Sequence, residues 1–158
     1  MKIGVLFPSR FEEPGEFLAD ARAMEAAGAD SVWLEEGREG LDPWLVLAAI
    51  AAVSGTLRVG LILVAPSEAE TGQPRRIETL QRISRRRAMI ASKEGEHLIS
   101  GTERWRRVEV PADREAWART LQGEGHDGVL VPLHPRLLDM LRHPDDAIDR
   151  SDLMLAQG

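Results

Sequence analysis

Three short apolar runs, at 3–7, 31–34 and 57–64, are separated by two stretches of helical spacing, and this alternation constrains the chain more than any other feature. The first run stops at Pro8-Ser9 and reads as a buried strand. Over 16–27, Phe17, Leu18, Ala21, Met24 and Ala27 share a helical face, and Gly28 supplies the stop. A second strand is predicted over 31–34. Asp42 is a good N-cap and Pro43 suits the first helical turn, so 43–53 reads as a helix closed by Ser54-Gly55. The run at 57–64 is the third strand.

Further on, Ile77, Leu80 and Ile83 mark one face of a helix over 75–86, and 88–91 reads as a weaker strand. Periodicity fades over 92–101, which reads as a loop. Apolar and charged residues alternate over 105–110, as in a half-exposed strand. A helix capped by Asp113 extends to 122, 128–133 is a buried strand, and 135–142 is a helix stopped by His143-Pro144. A last short strand is predicted over 153–155. Strands alternating with helices of this length imply parallel strands joined by right-handed crossovers. The expected architecture is a single α/β domain over 1–158, with about six parallel strands.

With 158 residues, 43% hydrophobic and 29% charged, the chain can bury one substantial core. It has no cysteine, which excludes thiolate catalysis, disulfides and cysteine-ligated metals. A formal charge of −6 argues against nucleic acid or an anionic membrane as the main partner. The apolar stretches are too short to span a bilayer, and only five mostly apolar residues separate Lys2 from Pro8, so the expected address is cytoplasmic. The four histidines lack metal-ligand spacing. No P-loop or dinucleotide fingerprint is present: Gly37 and Gly40 lack the required spacing.

Three motifs carry a resemblance: Gly28-Ala29-Asp30-Ser31-Val32-Trp33, Asp42-Pro43-Trp44 opening an alanine-rich helix, and Arg58-Val59-Gly60. In this order and spacing the chain resembles the luciferase-like flavin-dependent monooxygenases. The resemblance covers 1–91 well and 113–133 more loosely. It implies a TIM-barrel-like fold, FMN or a deazaflavin coenzyme, and a homodimer paired through early helices. Two departures accompany it. Arg85 and Arg86 stand where the family has two glycines, before a strand, 88–92, that has also lost its glycines. Glycine there lets a backbone approach a flat ligand or adopt positive φ. In addition, Val110-Pro111-Ala112-Asp113 replaces a Gly-Thr/Ser-Pro turn that in the family helps hold the cofactor phosphate.

An eight-stranded barrel ordinarily needs about 250 residues, so about two units are missing, between Gly95 and Asp113. A truncated, incomplete barrel would leave two open sheet edges, which a homodimer could cover.

Ligands of parallel α/β folds sit at the C-terminal strand ends. That rule selects Ser9, Glu35, Glu36, Ala65, Ser92 and His134. Glu36 is a candidate base or substrate-orienting group, and His134 could polarise a carbonyl or contact a phosphate. Solvated carboxylates and a structural histidine before Pro135 are the competing readings. The resemblance adds Ser9, Ala65, Ser92 and Arg87 as candidate cofactor-binding positions. The clusters at 85–87 and 104–107 could grip a flavin phosphate or form a solvated face. Trp33, Trp44 and Trp117 read as core. Three functions stay open: a flavin-dependent oxidoreductase, a non-catalytic flavin-binding or partner subunit, and a structural homodimer without a small ligand.

Overall fold

The computed structural model describes residues 1–10, 13, 15–37, 39–63 and 73–142. In chain order the elements are β1 (Lys2–Leu6), α1 (Glu16–Ala26), β2 (Ser31–Glu35), α2 (Pro43–Val53), β3 (Arg58–Leu63), α3 (Gln73–Ile83) and β4 (Ala88–Glu94). They continue with β5 (His97–Ser100), β6 (Glu103–Arg107), α4 (Arg114–Leu121), β7 (Gly128–Pro132) and α5 (Pro135–Arg142). The predicted helix at 43–53 begins as its sequence demands: Asp42 accepts a hydrogen bond from the Trp44 N–H at 2.9 Å, with Pro43 in the first turn. The strand predicted over 153–155 and the Ala65 position lie outside the described residues.

The open sheet of about six parallel strands is corrected. Seven strands close into a mixed barrel in the order β1-β2-β3-β4-β5-β6-β7, with β7 returning to β1. The β1–β2, β2–β3, β3–β4, β6–β7 and β7–β1 pairs are parallel, whereas β5 runs antiparallel to both β4 and β6. The difference arises in 92–101, read from sequence as a loop. Gly95 (φ +61°) and Gly101 (φ +60°) each open a two-residue turn, the position where a II′ hairpin requires positive φ. Two consecutive hairpins thus replace a helical crossover and carry the sheet across the gap to β7. Closure removes the two open edges on which the expectation of edge pairing rested.

Period-two alternation divides the strand residues between two cores. Val5, Val32, Leu34, Val59, Leu61, Val129 and Val131 face outward into a buried cluster completed by helix residues such as Met24, Leu47, Ile50, Leu80, Trp117 and Leu137. Trp33, Ile62, Met89, Ala91, Leu98, Trp105 and Leu130 fill the barrel interior. The two inner tryptophans meet edge to face at 5.2 Å. Each stands opposite a glycine on the neighbouring strand, Trp33 beside Gly60 and Trp105 beside Gly128. A Cβ on Gly60 would lie 2.2 Å from the Trp33 ring, and one on Gly128 2.5 Å from the Trp105 ring. These glycines therefore provide the space the indoles occupy.

At the N-terminal end of the barrel, Glu103 forms ion pairs with Lys2 and Arg58, the latter at 2.8 Å, and accepts a hydrogen bond from Trp105 Nε1 at 3.2 Å. Burial pushes the Glu103 carboxyl up, but the hydrogen bonds and charges of Arg58 and Lys2 outweigh it and hold the group below the usual carboxylate range. A carboxyl lowered in the folded state contributes stability above its unfolded pKa, and that contribution is lost as pH falls through the folded value. Thermal unfolding between pH 7 and pH 2 should therefore show Glu103→Gln less stable than the parent at neutral pH, with the difference shrinking in acid. A constant difference across that range would assign the loss to packing alone.

Candidate functional site at the barrel mouth

The C-terminal strand ends define the mouth, and alternation decides which side chains reach it. On β2, Glu35 follows inward Trp33. On β6, Arg107 follows inward Trp105, while Arg104 and Arg106 take the outer face. Glu35 and Arg107 pair across the barrel at 2.8 Å. Together with Ile62, Leu63, Lys93, Glu96, His97 and Leu98 they line a cavity of about 240 Å³. Its floor is the apolar top of the barrel core; its rim carries two basic groups, two carboxylates and one histidine. The basic cluster at 104–107 is thus divided, and Arg107 is the member that joins the mouth. A strict inward–outward count starting from Trp105 would have picked it out.

The sequence-selected positions are more dispersed. Ser9 is exposed, and its carbonyl accepts a hydrogen bond from the Leu41 N–H at 3.3 Å. Gly40 (φ +94°) permits this approach, because a Cβ there would sit 2.2 Å from the Ser9 carbonyl oxygen. The loops after β1 and β2 are thereby pinned together. Glu36 is half-buried, with its backbone N–H donating to the Ile62 carbonyl at 2.8 Å. Ser92 is exposed, on the outer face of β4 between Ala91 and Lys93. His134 uses Nδ1 to accept the Arg136 N–H at 3.2 Å, which caps the start of α5. Among the described residues no side-chain hydrogen bond joins Glu36 to His134.

Arg87 lies before β4, at the opposite end of the barrel. Its guanidinium donates to the carbonyls of Ala51, Ser54 and Leu57 and to the Ser54 hydroxyl. Neighbouring Arg85 and Arg86 adopt φ of +54° and +64° in the turn from α3 to β4. Glycine at these two positions would serve that left-handed turn, not a ligand-facing surface. Their replacement therefore bears on turn strain rather than on the mouth.

Two features speak to a flavin mononucleotide. The 240 Å³ cavity is below the roughly 300–1,000 Å³ typical of sites that enclose drug-sized ligands. The helix N-terminus that would face a phosphate, at α4, is already capped by a carboxylate: Asp113 accepts the Ala116 N–H at 2.8 Å. The preceding turn is tied to α5 by Arg136, which donates to the Pro111 and Ala112 carbonyls. This cavity and the capped α4 N-terminus do not fit the flavin and its phosphate. No group of three or more His, Asp or Glu among them could hold a metal ion, and none of their helices is long and apolar enough to cross a membrane.

Residues 1–68 match the family model of the luciferase-like monooxygenases. The match covers β1 through β3 and ends before α3, so the resemblance first visible in the strand and helix motifs stands over that stretch. No curated protein matches the chain.

Proposed function

We propose that this chain, luciferase-like over residues 1–68, is a non-catalytic partner subunit or scaffold built on a contracted barrel. The size of the mouth carries the reading. Where a parallel barrel would place a long βα loop and a helix after β4, the chain makes the two-residue turn Gly95-Glu96 and returns along β5. The remaining cavity holds about 240 Å³ and is crossed by the Glu35–Arg107 ion pair. A barrel of seven strands is also narrower than one of eight. The scaffold is retained while the space for a flavin is reduced, and function lives in such sites rather than in the fold.

The competing reading is a flavin-dependent oxidoreductase, favoured by the family match over β1 to β3. In that case the coenzyme, FMN or a deazaflavin, would supply the redox chemistry. Titration of the purified chain with each coenzyme, followed by flavin fluorescence, separates the two. The expected result is no saturable binding below millimolar concentration. Micromolar binding with oxidation of the reduced coenzyme faster than in free solution would replace the proposal with the enzyme.

A further inference from the structure

Among the described residues, Arg85 and Arg86 are the two that combine a side chain with a positive φ, at +54° and +64°. The left-handed region disfavours any residue with a Cβ, and arginine lacks the short polar side chain that lets asparagine or aspartate settle there. The turn is nevertheless fixed from several sides. Arg85 donates its N–H to the Arg82 carbonyl at 3.2 Å, Arg86 to the Gln81 carbonyl at 2.7 Å, and Arg87 to the Ser84 carbonyl at 3.2 Å. Ser84 is fully buried, and its hydroxyl accepts the Ala88 N–H at 3.1 Å. Backbone strain that its surroundings over-determine is characteristic of binding positions.

The side chains on this turn share a cavity. Arg82, Arg85 and Arg86 line a concave site of about 700 Å³ together with Glu78 and Gln81. Three guanidiniums thus face one carboxylate. Glu78 pairs with Arg82 at 2.6 Å, but both groups are exposed, which makes the pair weak and exchangeable. Arg85 and Arg86 have no side-chain partner among the described residues. Like charges gathered in one cavity repel, and an anion bridging them turns that repulsion into attraction. The C-terminus of α3 presents the negative end of its dipole here, so attraction for an anion comes from the guanidiniums alone.

We propose that Arg82, Arg85 and Arg86 form a receptor for the phosphoryl group of a small phosphorylated molecule. A dianionic phosphoryl group matches the charge of the two unpaired guanidiniums, and its three terminal oxygens accept from more than one planar fork at once. A single carboxylate carries less charge and offers fewer acceptors. The formal charge of −6 opposes the approach of a long polyanion, whereas a small ligand meets mainly the local field of the arginines. The fixed turn lowers the ordering cost of binding, because the backbone that carries Arg85 and Arg86 is already in place. The site lies at the α3–β4 turn, at the end of the barrel opposite the mouth crossed by Glu35 and Arg107. It therefore stands or falls independently of whether a flavin binds at that mouth.

Isothermal titration of the intact chain with pyrophosphate, inorganic phosphate and succinate tests the site. Pyrophosphate is expected to bind saturably, phosphate more weakly, and succinate, a dianion without a phosphoryl group, at least about tenfold more weakly than pyrophosphate. Arg85→Gly/Arg86→Gly suits the left-handed turn, so it should fold with a thermal midpoint at or above that of the parent. The same variant should lose at least about tenfold in pyrophosphate affinity. Arg82→Gln, in the regular part of α3, should weaken binding without touching the turn. Arg75→Gln/Arg76→Gln removes the same charge from α3 outside the cavity, and screening should keep its effect below about threefold. No saturable binding at millimolar pyrophosphate, or succinate binding as tightly as pyrophosphate, would overturn the proposal. So would unchanged affinity in Arg85→Gly/Arg86→Gly, or an equal loss in Arg75→Gln/Arg76→Gln. Tighter binding of a duplex oligonucleotide or of phosphatidic acid vesicles than of pyrophosphate would also overturn it.

Discussion

Replacing Trp33 by alanine should lower the unfolding free energy by about 3–5 kcal/mol, and Gly60→Val in the same layer should also be severely destabilising. Against a typical total of about 5–15 kcal/mol, either change alone can bring the chain to the edge of unfolding. Trp33 is fully buried inside the barrel, with its indole N–H satisfied by the Ser31 hydroxyl at 2.8 Å. It cannot retreat from a side chain at 60, because Gly4 closes the other side, where a Cβ would stand 2.7 Å from Trp33 Nε1. Valine at 60 must therefore displace the indole or push strands apart. The double variant Gly60→Val/Trp33→Ala should be less destabilised than the sum of the two single changes, by about 1–3 kcal/mol, since alanine vacates the space valine needs. Urea unfolding of the three variants measures the coupling. Additive losses would mean that the glycine is not there to make room for the ring.

How much of this was legible follows from what a residue pattern encodes. The first three βα units were readable because each strand there is a run of apolar residues and each helix has a cap or a stop nearby, as Asp42-Pro43 and Gly28 illustrate. Hairpin β4–β5–β6 was not, because His97 to Ser100 is short, half-polar and too weakly periodic to declare itself. Its true signal was turn chemistry: two Gly-x pairs, Gly95-Glu96 and Gly101-Thr102, framing four residues. Missing that signal left the sheet open and generated the argument from unpaired edges. Trp33, Trp44 and Trp117 were correctly read as core, whereas Trp105, fully buried, was placed in a half-exposed strand; the partner glycines Gly60 and Gly128 were invisible as such, since the pairing exists only once the register is known.

The candidate site was legible in place but not in membership. Strand-end positions were found by rule, and Glu35 does reach the mouth. Arg107 was hidden inside a basic cluster, because charge alone does not tell an inward side chain from its outward neighbour Arg106. Glu36, Ser92 and His134 illustrate the converse: nearness to a strand end fixes neither the direction nor the partners of a side chain. His134 in particular meets a local backbone demand, the uncapped N–H groups that open α5.

Arg87 gives the second large effect. Substitution by alanine should cost about 2–4 kcal/mol, the scale of losing several hydrogen bonds made by one half-buried charged group, and lower the thermal midpoint by about 10 °C. The guanidinium lies at the C-terminus of α2, where the helix dipole favours a cation and the last carbonyls lack intrahelical donors. It bonds the Ala51 carbonyl at 2.9 Å and the Ser54 carbonyl and hydroxyl at 3.1 Å each, and it reaches the Leu57 carbonyl at the start of β3. One planar group thus ties α2, the turn after it and the α3–β4 junction together. Lysine retains the charge but cannot present donors in a fork, so Arg87→Lys should recover less than half the loss. Methionine retains much of the apolar stem and no donor, so Arg87→Met should resemble alanine more than arginine. If Arg87→Met proved as stable as the parent, the stem and not the hydrogen bonds would be what holds this end of the barrel. If Arg87→Lys did so, the charge at the helix terminus would suffice without the fork.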